Sequence, residues 1–214
     1  MTNLLYKESR LANLVLPAAL MALCLLMLIP AYPLYVGLMY TCLGVFFTLL
    51  LFRETNDIYF SMMLPIPKRQ IVLGHLILFC IFEIVQLVVA VPVALLRHAL
   101  IHTPNPVGIE ANPALFGSAL IMFTIFNFIL LTEHYRDAYR LGVPLTFAGT
   151  AVLIYIAVAE LAVVLNPVLK ANLDTVGTPL GPQLAVLLLG IVIFVLGNLA
   201  TYRVAAARFE RVDL

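Results

Sequence analysis

Along the chain, apolar residues come in runs of about the 20 residues that an α-helix needs to cross a hydrocarbon core, parted by short polar or proline-rich breaks. Six such runs stand at 11–29, 34–52, 71–96, 114–132, 143–165 and 184–202. Strands are shorter than this, so continuous apolar runs of such length predict helices. The first run follows Lys7 and Arg10, as the apolar stretch of a secretory leader would. It is too long for that, and "PAYP" at 30–33 leads straight into the second run, so a retained helical hairpin is expected. The pattern predicts an all-α polytopic membrane protein, with six transmembrane helices forming a single domain over 1–214.

Composition strengthens this reading. With 64% hydrophobic and 11% charged residues and a mean hydropathy of +1.09, the chain has too little polar surface to coat a water-soluble globule. A net charge of +1 offers no basic patch for neutralising phosphates, which argues against nucleic acid as a partner. Ten of the 12 Lys and Arg precede the first run, follow the last, or sit in the breaks at 53–70 and 133–142; only Arg97 and Lys170 lie on the other side. The positive-inside rule then places both termini and those two breaks in the cytoplasm. The remaining long breaks, 97–113 and 166–183, are rich in Pro, Gly and Asn and read as irregular external caps.

Most of the polar chemistry is concentrated in "ETNDIYFSMMLPIPKRQIV", 54–72. Asn56 is placed to cap a short helix, Asp57 suits its positive N-terminal end, and Pro65 and Pro67 close it after about two turns, near Leu64. A helix that short needs a surface to pack on, and Ile58, Tyr59, Met62 and Met63 are spaced to present one face. Two surfaces qualify: the lipid headgroup layer, with Tyr59, Lys68 and Arg69 as anchors, or a groove in another protein.

Other candidates are sparser. Cys24, Cys42 and Cys80 fall inside apolar runs without the paired spacing of a zinc or redox site. His98 and His102 stand four apart without a third ligand, which favours solvated histidines over a metal site. Glu83 and Gln86 share a face of the third run, and Glu160 lies in the fifth. Carboxylates are costly there unless they face a watery pathway, find a partner or carry a proton, so all three are pathway candidates, with Glu160 alternatively reaching water at the outer end. Asn127 is expected to bond between helices. No lysine follows a glycine in the G-x-x-x-x-G-K-[ST] order that cradles nucleotide phosphates, and no nucleophile triad or metal cluster suggests an enzyme.

"RETNDIYFSMMLPIPKRQIV" (53–72) resembles the cytoplasmic loop of the ABC-2 type transporter permeases, in the small six-span branch that includes the phenol-soluble modulin export permeases. "NLLYKESRLA" (3–12) resembles that family's amphipathic N-terminal connecting helix, and "HYRDAYRLGVPL" (134–145) its tyrosine-rich loop after the fourth span. The resemblance implies a type V exporter-like permease in a bacterial cell membrane. It implies pairing with a second permease chain and with two ABC ATPase subunits that hold the ATP and Mg, so this chain needs no cofactor of its own. It further implies that 54–64 is a coupling helix, with Glu54, Asn56, Asp57, Ile58, Tyr59, Met62 and Leu64 at the ATPase. Tyr135, Arg136 and Tyr139 are the candidates for a smaller second contact. The expected cargo is amphipathic, most simply a peptide. The rival expectation is an ATP-independent, proton-linked transporter that uses Glu83 and Glu160.

Overall fold

The computed structural model describes residues 15–101, 105, 108–137, 141–175 and 180–212. These form α1 (Val15–Ala22), a 3-10 helix (Leu23–Leu28), α2 (Leu34–Glu54), α3 (Asp57–Met62), α4 (Lys68–Leu100), α5 (Pro113–His134), α6 (Gly142–Leu165), α7 (Pro167–Leu173) and α8 (Leu180–Glu210). No strand occurs among the described residues. Helices α2, α4, α5, α6 and α8 are each long and apolar enough to cross a membrane, which marks the chain as a polytopic helical membrane protein.

The first run changes its winding along the described part. Its described part is an α-helix that rewinds as a 3-10 helix. At standard rises these two described elements cover about 24 Å, and the run's residues 11–14 lie outside the described residues. Pro30 and Pro33 explain how the segment ends: neither has an N–H, so the Met27 and Ile29 carbonyls lose a donor that a continuing helix would supply. Arg97 replaces it, donating from Nη1 to Met27 O at 2.5 Å and to Ile29 O at 3.2 Å. This accounts for a guanidinium only 2% exposed.

Helix α5 is the centre of the bundle and packs most extensively on α8. In lipid, small residues let helix backbones approach closely. A Cβ on Gly190 would collide with the Gly117 carbonyl, and seven residues on, Gly197 meets the Thr124 side chain. On a neighbouring face of α5, Ser118 Oγ bonds the Tyr35 hydroxyl of α2 and, at 2.8 Å, the Tyr155 hydroxyl of α6. The outer faces of α4, α6 and α8 expose row upon row of Val, Leu and Ile, as lipid contact requires.

Helices α4 and α8, at 33 and 31 residues, run to roughly 50 and 46 Å and outreach the hydrocarbon. At their basic end they are tied together. Arg69 clasps Glu210 at 2.6 and 3.0 Å, and Lys68 Nζ donates to Val212 O at 2.7 Å. At the opposite end the irregular cap is bonded rather than loose: Asn112 caps α5 through Leu115 N at 3.1 Å and donates to Leu173 O, while Glu110 N–H donates to Asp174.

Candidate functional site

The basic end is where local sequence and packing converge. After Glu54 the chain turns through Asn56, which adopts the left-handed conformation (φ 53°, ψ 36°) that Asn tolerates better than most residues. Its side chain makes no capping bond, which corrects the expected role: Asn56 redirects the chain between α2 and α3 by its backbone. Helix α3 then runs from Asp57 to Met62 and stops before the prolines.

This helix has two unlike faces. Asp57 and Ser61, four apart, point inward and are buried, at 1% and 0% exposure. Tyr59 and Phe60 point outward, continued just past the helix by exposed Met63 (81%) and Leu64; Ile58 and Met62 are half-buried.

Inward, the Asp57 carboxylate meets His75 Nε2 at 3.2 Å, and His75 Nδ1 meets the Tyr135 hydroxyl at 2.5 Å. A carboxylate only accepts, so Nε2 carries hydrogen; a neutral ring then accepts at Nδ1 from the Tyr135 O–H, and every atom is satisfied. The ring stacks on Phe52 of α2 at 4.6 Å between centroids, and Tyr135 packs on Phe209 of α8 at 5.0 Å. One buried polar chain thus joins α3, α4 and the segment after α5, walled by aromatics from α2 and α8. Beside it, Arg208 donates to Thr132 O and to Glu133, both at 2.7 Å.

The residues expected at a docking surface therefore separate. Glu54, Asn56, Tyr59, Leu64 and Arg136 are exposed, whereas Asp57 and Tyr135 are buried inside their own chain; Tyr139 lies outside the described residues. Hydropathy alone does not single out His75, although a histidine within "IVLGHLILFC" is itself a signal: a polar ring in an apolar helix needs partners.

The pathway candidates also separate. Glu83 and Gln86 have no exposure and face the bundle interior. Asn127 Nδ2 donates to Glu83 Oε2 at 3.0 Å and to Asn198 Oδ1 at 3.1 Å, and Asn198 donates to Phe194 O at 2.9 Å. Glu160 is half-buried near the end of α6 and accepts the Ile109 N–H at 3.1 Å. Gly108 (φ +145°) has to lack a side chain there, since a Cβ would strike the Glu160 carboxylate. His98 bonds Ala111 O at 2.6 Å; His102 is outside the described residues, and no cluster of three metal-ligating side chains occurs among those described. Alongside the amide cluster, α4, α5 and α8 leave an open, wholly apolar groove of about 450 Å³ lined by Leu87, Phe116, Leu120 and Ile191.

No protein-family model, curated protein or solved structure matches the chain.

Proposed function

We propose that the chain is the membrane permease subunit of an ABC exporter of the ABC-2 type, six-span and dimeric, in a bacterial plasma membrane. In this reading α3 is the coupling element, and ATP and Mg are bound by two separate ATPase subunits. The two-faced α3 carries the proposal. Its outward Tyr59 and Phe60, with Met63 and Leu64 just past it, form an apolar anchor too short to fold alone, while its inward Asp57 and Ser61 are fastened to the bundle. A rigid element gripped on one side and apolar on the other passes a push from a soluble partner into the helices it is fastened to.

This reading moves the docking role within the loop. The outward face meets the ATPase, with Glu54 and Arg136 beside it, and Asp57 and Tyr135 hold the lever. The apolar groove on α4, α5 and α8 suits an amphipathic cargo, most simply a peptide. The rival, ATP-independent proton-linked transport, has one observation in its favour: the sealed position of Glu83 beside amides.

The test is co-purification with candidate ABC ATPase subunits. Met63→Glu should leave insertion intact and weaken association by at least about 2 kcal/mol, as loss of a central anchor does. Normal capture and normal export by that variant would remove α3 as the coupling element.

A further inference from the structure

Glu83 presents a problem of charge that the surrounding side chains define. It lies in the middle of α4 with no exposed surface. The groups around it come from four elements: Asn127 of α5, linked onward to Asn198 of α8, Cys42 of α2, and Cys80 of its own helix, on which the neutral Gln86 amide, three residues along, is buried without a hydrogen-bond partner. None of these is cationic. Cys24 of the 3-10 helix, adjoining Gln86, adds only another thiol.

The direction of the hydrogen bonds is fixed from the far end. Phe194 O can only accept, so Asn198 turns its Nδ2 to it and offers Oδ1 to Asn127. Asn127 therefore uses its amino group on both Asn198 and Glu83 Oε2, and its own Oδ1 is left buried without a partner. Glu83 Oε1 is likewise buried and without a partner. An ionised carboxylate would set a full negative charge against these acceptor oxygens in a region water does not reach.

We infer that Glu83 is a neutral carboxylic acid in the folded protein: a proton resides on Oε1 and is offered to the Asn127 carbonyl oxygen, while Asn127 Nδ2–H is accepted by Oε2. An acid and an amide joined in this way exchange two hydrogen bonds and carry no charge. The proton converts an orphaned acceptor into a donor and satisfies a second orphan. Protonation is also the usual response of a carboxyl held in apolar surroundings without a counter-ion. The resulting uncharged chain, Glu83 to Asn127 to Asn198 to Phe194 O, ties α4, α5 and α8 together at mid-height, whatever α3 meets outside. Glu83 is then a positioning residue that retains its proton rather than passing it on.

The experiment is infrared spectroscopy of the full chain in lipid bilayers across neutral pH, comparing wild type with Glu83→Gln. The wild type should show the carbonyl stretch of a protonated carboxylic acid that Glu83→Gln lacks. Glu83→Gln should retain thermal stability, because its amide can repeat both bonds. Asn127→Leu should shift the acid band and lower the folded-to-unfolded ratio about 3- to 20-fold, the range of interhelical side-chain bonds in membranes. The inference is overturned if the acid band is absent at neutral pH, if sodium stabilises wild type but not Glu83→Gln, or if Glu83→Gln is as unstable as Asn127→Leu.

Discussion

Asp57 and Glu83 are both carboxyl groups sealed from solvent, and the bundle deals with them in opposite ways. Asp57 faces an imidazole whose far nitrogen is bonded to a phenol, so its charge is met by an N–H that the phenol holds in place. Glu83 faces amides and thiols, none able to balance a charge. The positions explain the contrast. Asp57 begins a short element that would otherwise be loose, and the polar chain fixes which of its faces points in. Glu83 sits where three long helices are already packed, so its bonds trim register rather than hold a loop. A buried carboxyl is thus a clamp at one level of the molecule and a neutral tie at another.

The sharpest way to break the contrast is Asp57→Leu. It removes the acceptor of His75 Nε2–H and the inward anchor of α3 together, and leaving a buried donor without its acceptor costs about 1–3 kcal/mol. Thermal unfolding in detergent should fall accordingly, and a cysteine placed at Ser61, now buried, should become reactive toward water-soluble probes. An unaltered Ser61 reactivity would mean that α3 is held by its apolar contacts alone. Tyr135→Phe is milder. It leaves His75 Nδ1 without its donor but keeps the ring against Phe209, for a loss of about 1 kcal/mol in the same unfolding measurement. If the two variants cost the same, the chain from Asp57 to Tyr135 acts as one unit and its parts are not separable.

Sequence made one side of this comparison visible and hid the other. Long apolar runs are a strong signal, and the second to sixth each coincide with a helix of spanning length. Their ends were less legible. Hydropathy registers only the lipid-immersed part, whereas α4 starts at Lys68 and α8 continues to Glu210 because Arg69 and Glu210 bind each other beyond it. The carbonyls at the end of the first run are taken up by Arg97, some 70 residues away. In 54–72 the prolines and Asp57 announced a short helix, but its orientation is set by His75 and Tyr135, and no local pattern says which face a distant partner will claim. Asn56 shows the limit clearly: its residue type suited a cap, and the structure uses its backbone instead. At Glu83 the residue was conspicuous, and only the positions of Asn127 and Asn198 reveal that its neighbours are all neutral.

The smallest effect lies at the opposite end, where a third carboxyl tests whether partial burial without a clamp behaves as this contrast implies. Asp174 follows α7, is half-buried, and accepts the Glu110 N–H at 3.1 Å. Burial raises its pKa above the ordinary 3.8; the Glu110 carboxylate pushes the same way, against the Glu110 N–H bond and the Lys170 ammonium, which lower it. A raised folded-state value means the protonated form is favoured by folding. Its contribution is therefore complete below 3.8 and is lost as pH rises through the raised value. Relative to Asp174→Asn, which cannot ionise and retains an acceptor oxygen for Glu110 N–H, the wild type should gain unfolding temperature as the solution is acidified from neutral pH. Paired thermal scans of the two proteins at several pH values measure the difference directly. A difference that does not change with pH would show that Asp174 is as well hydrated in the folded cap as in the unfolded chain, and would confine the cost of carboxyl burial to Asp57 and Glu83.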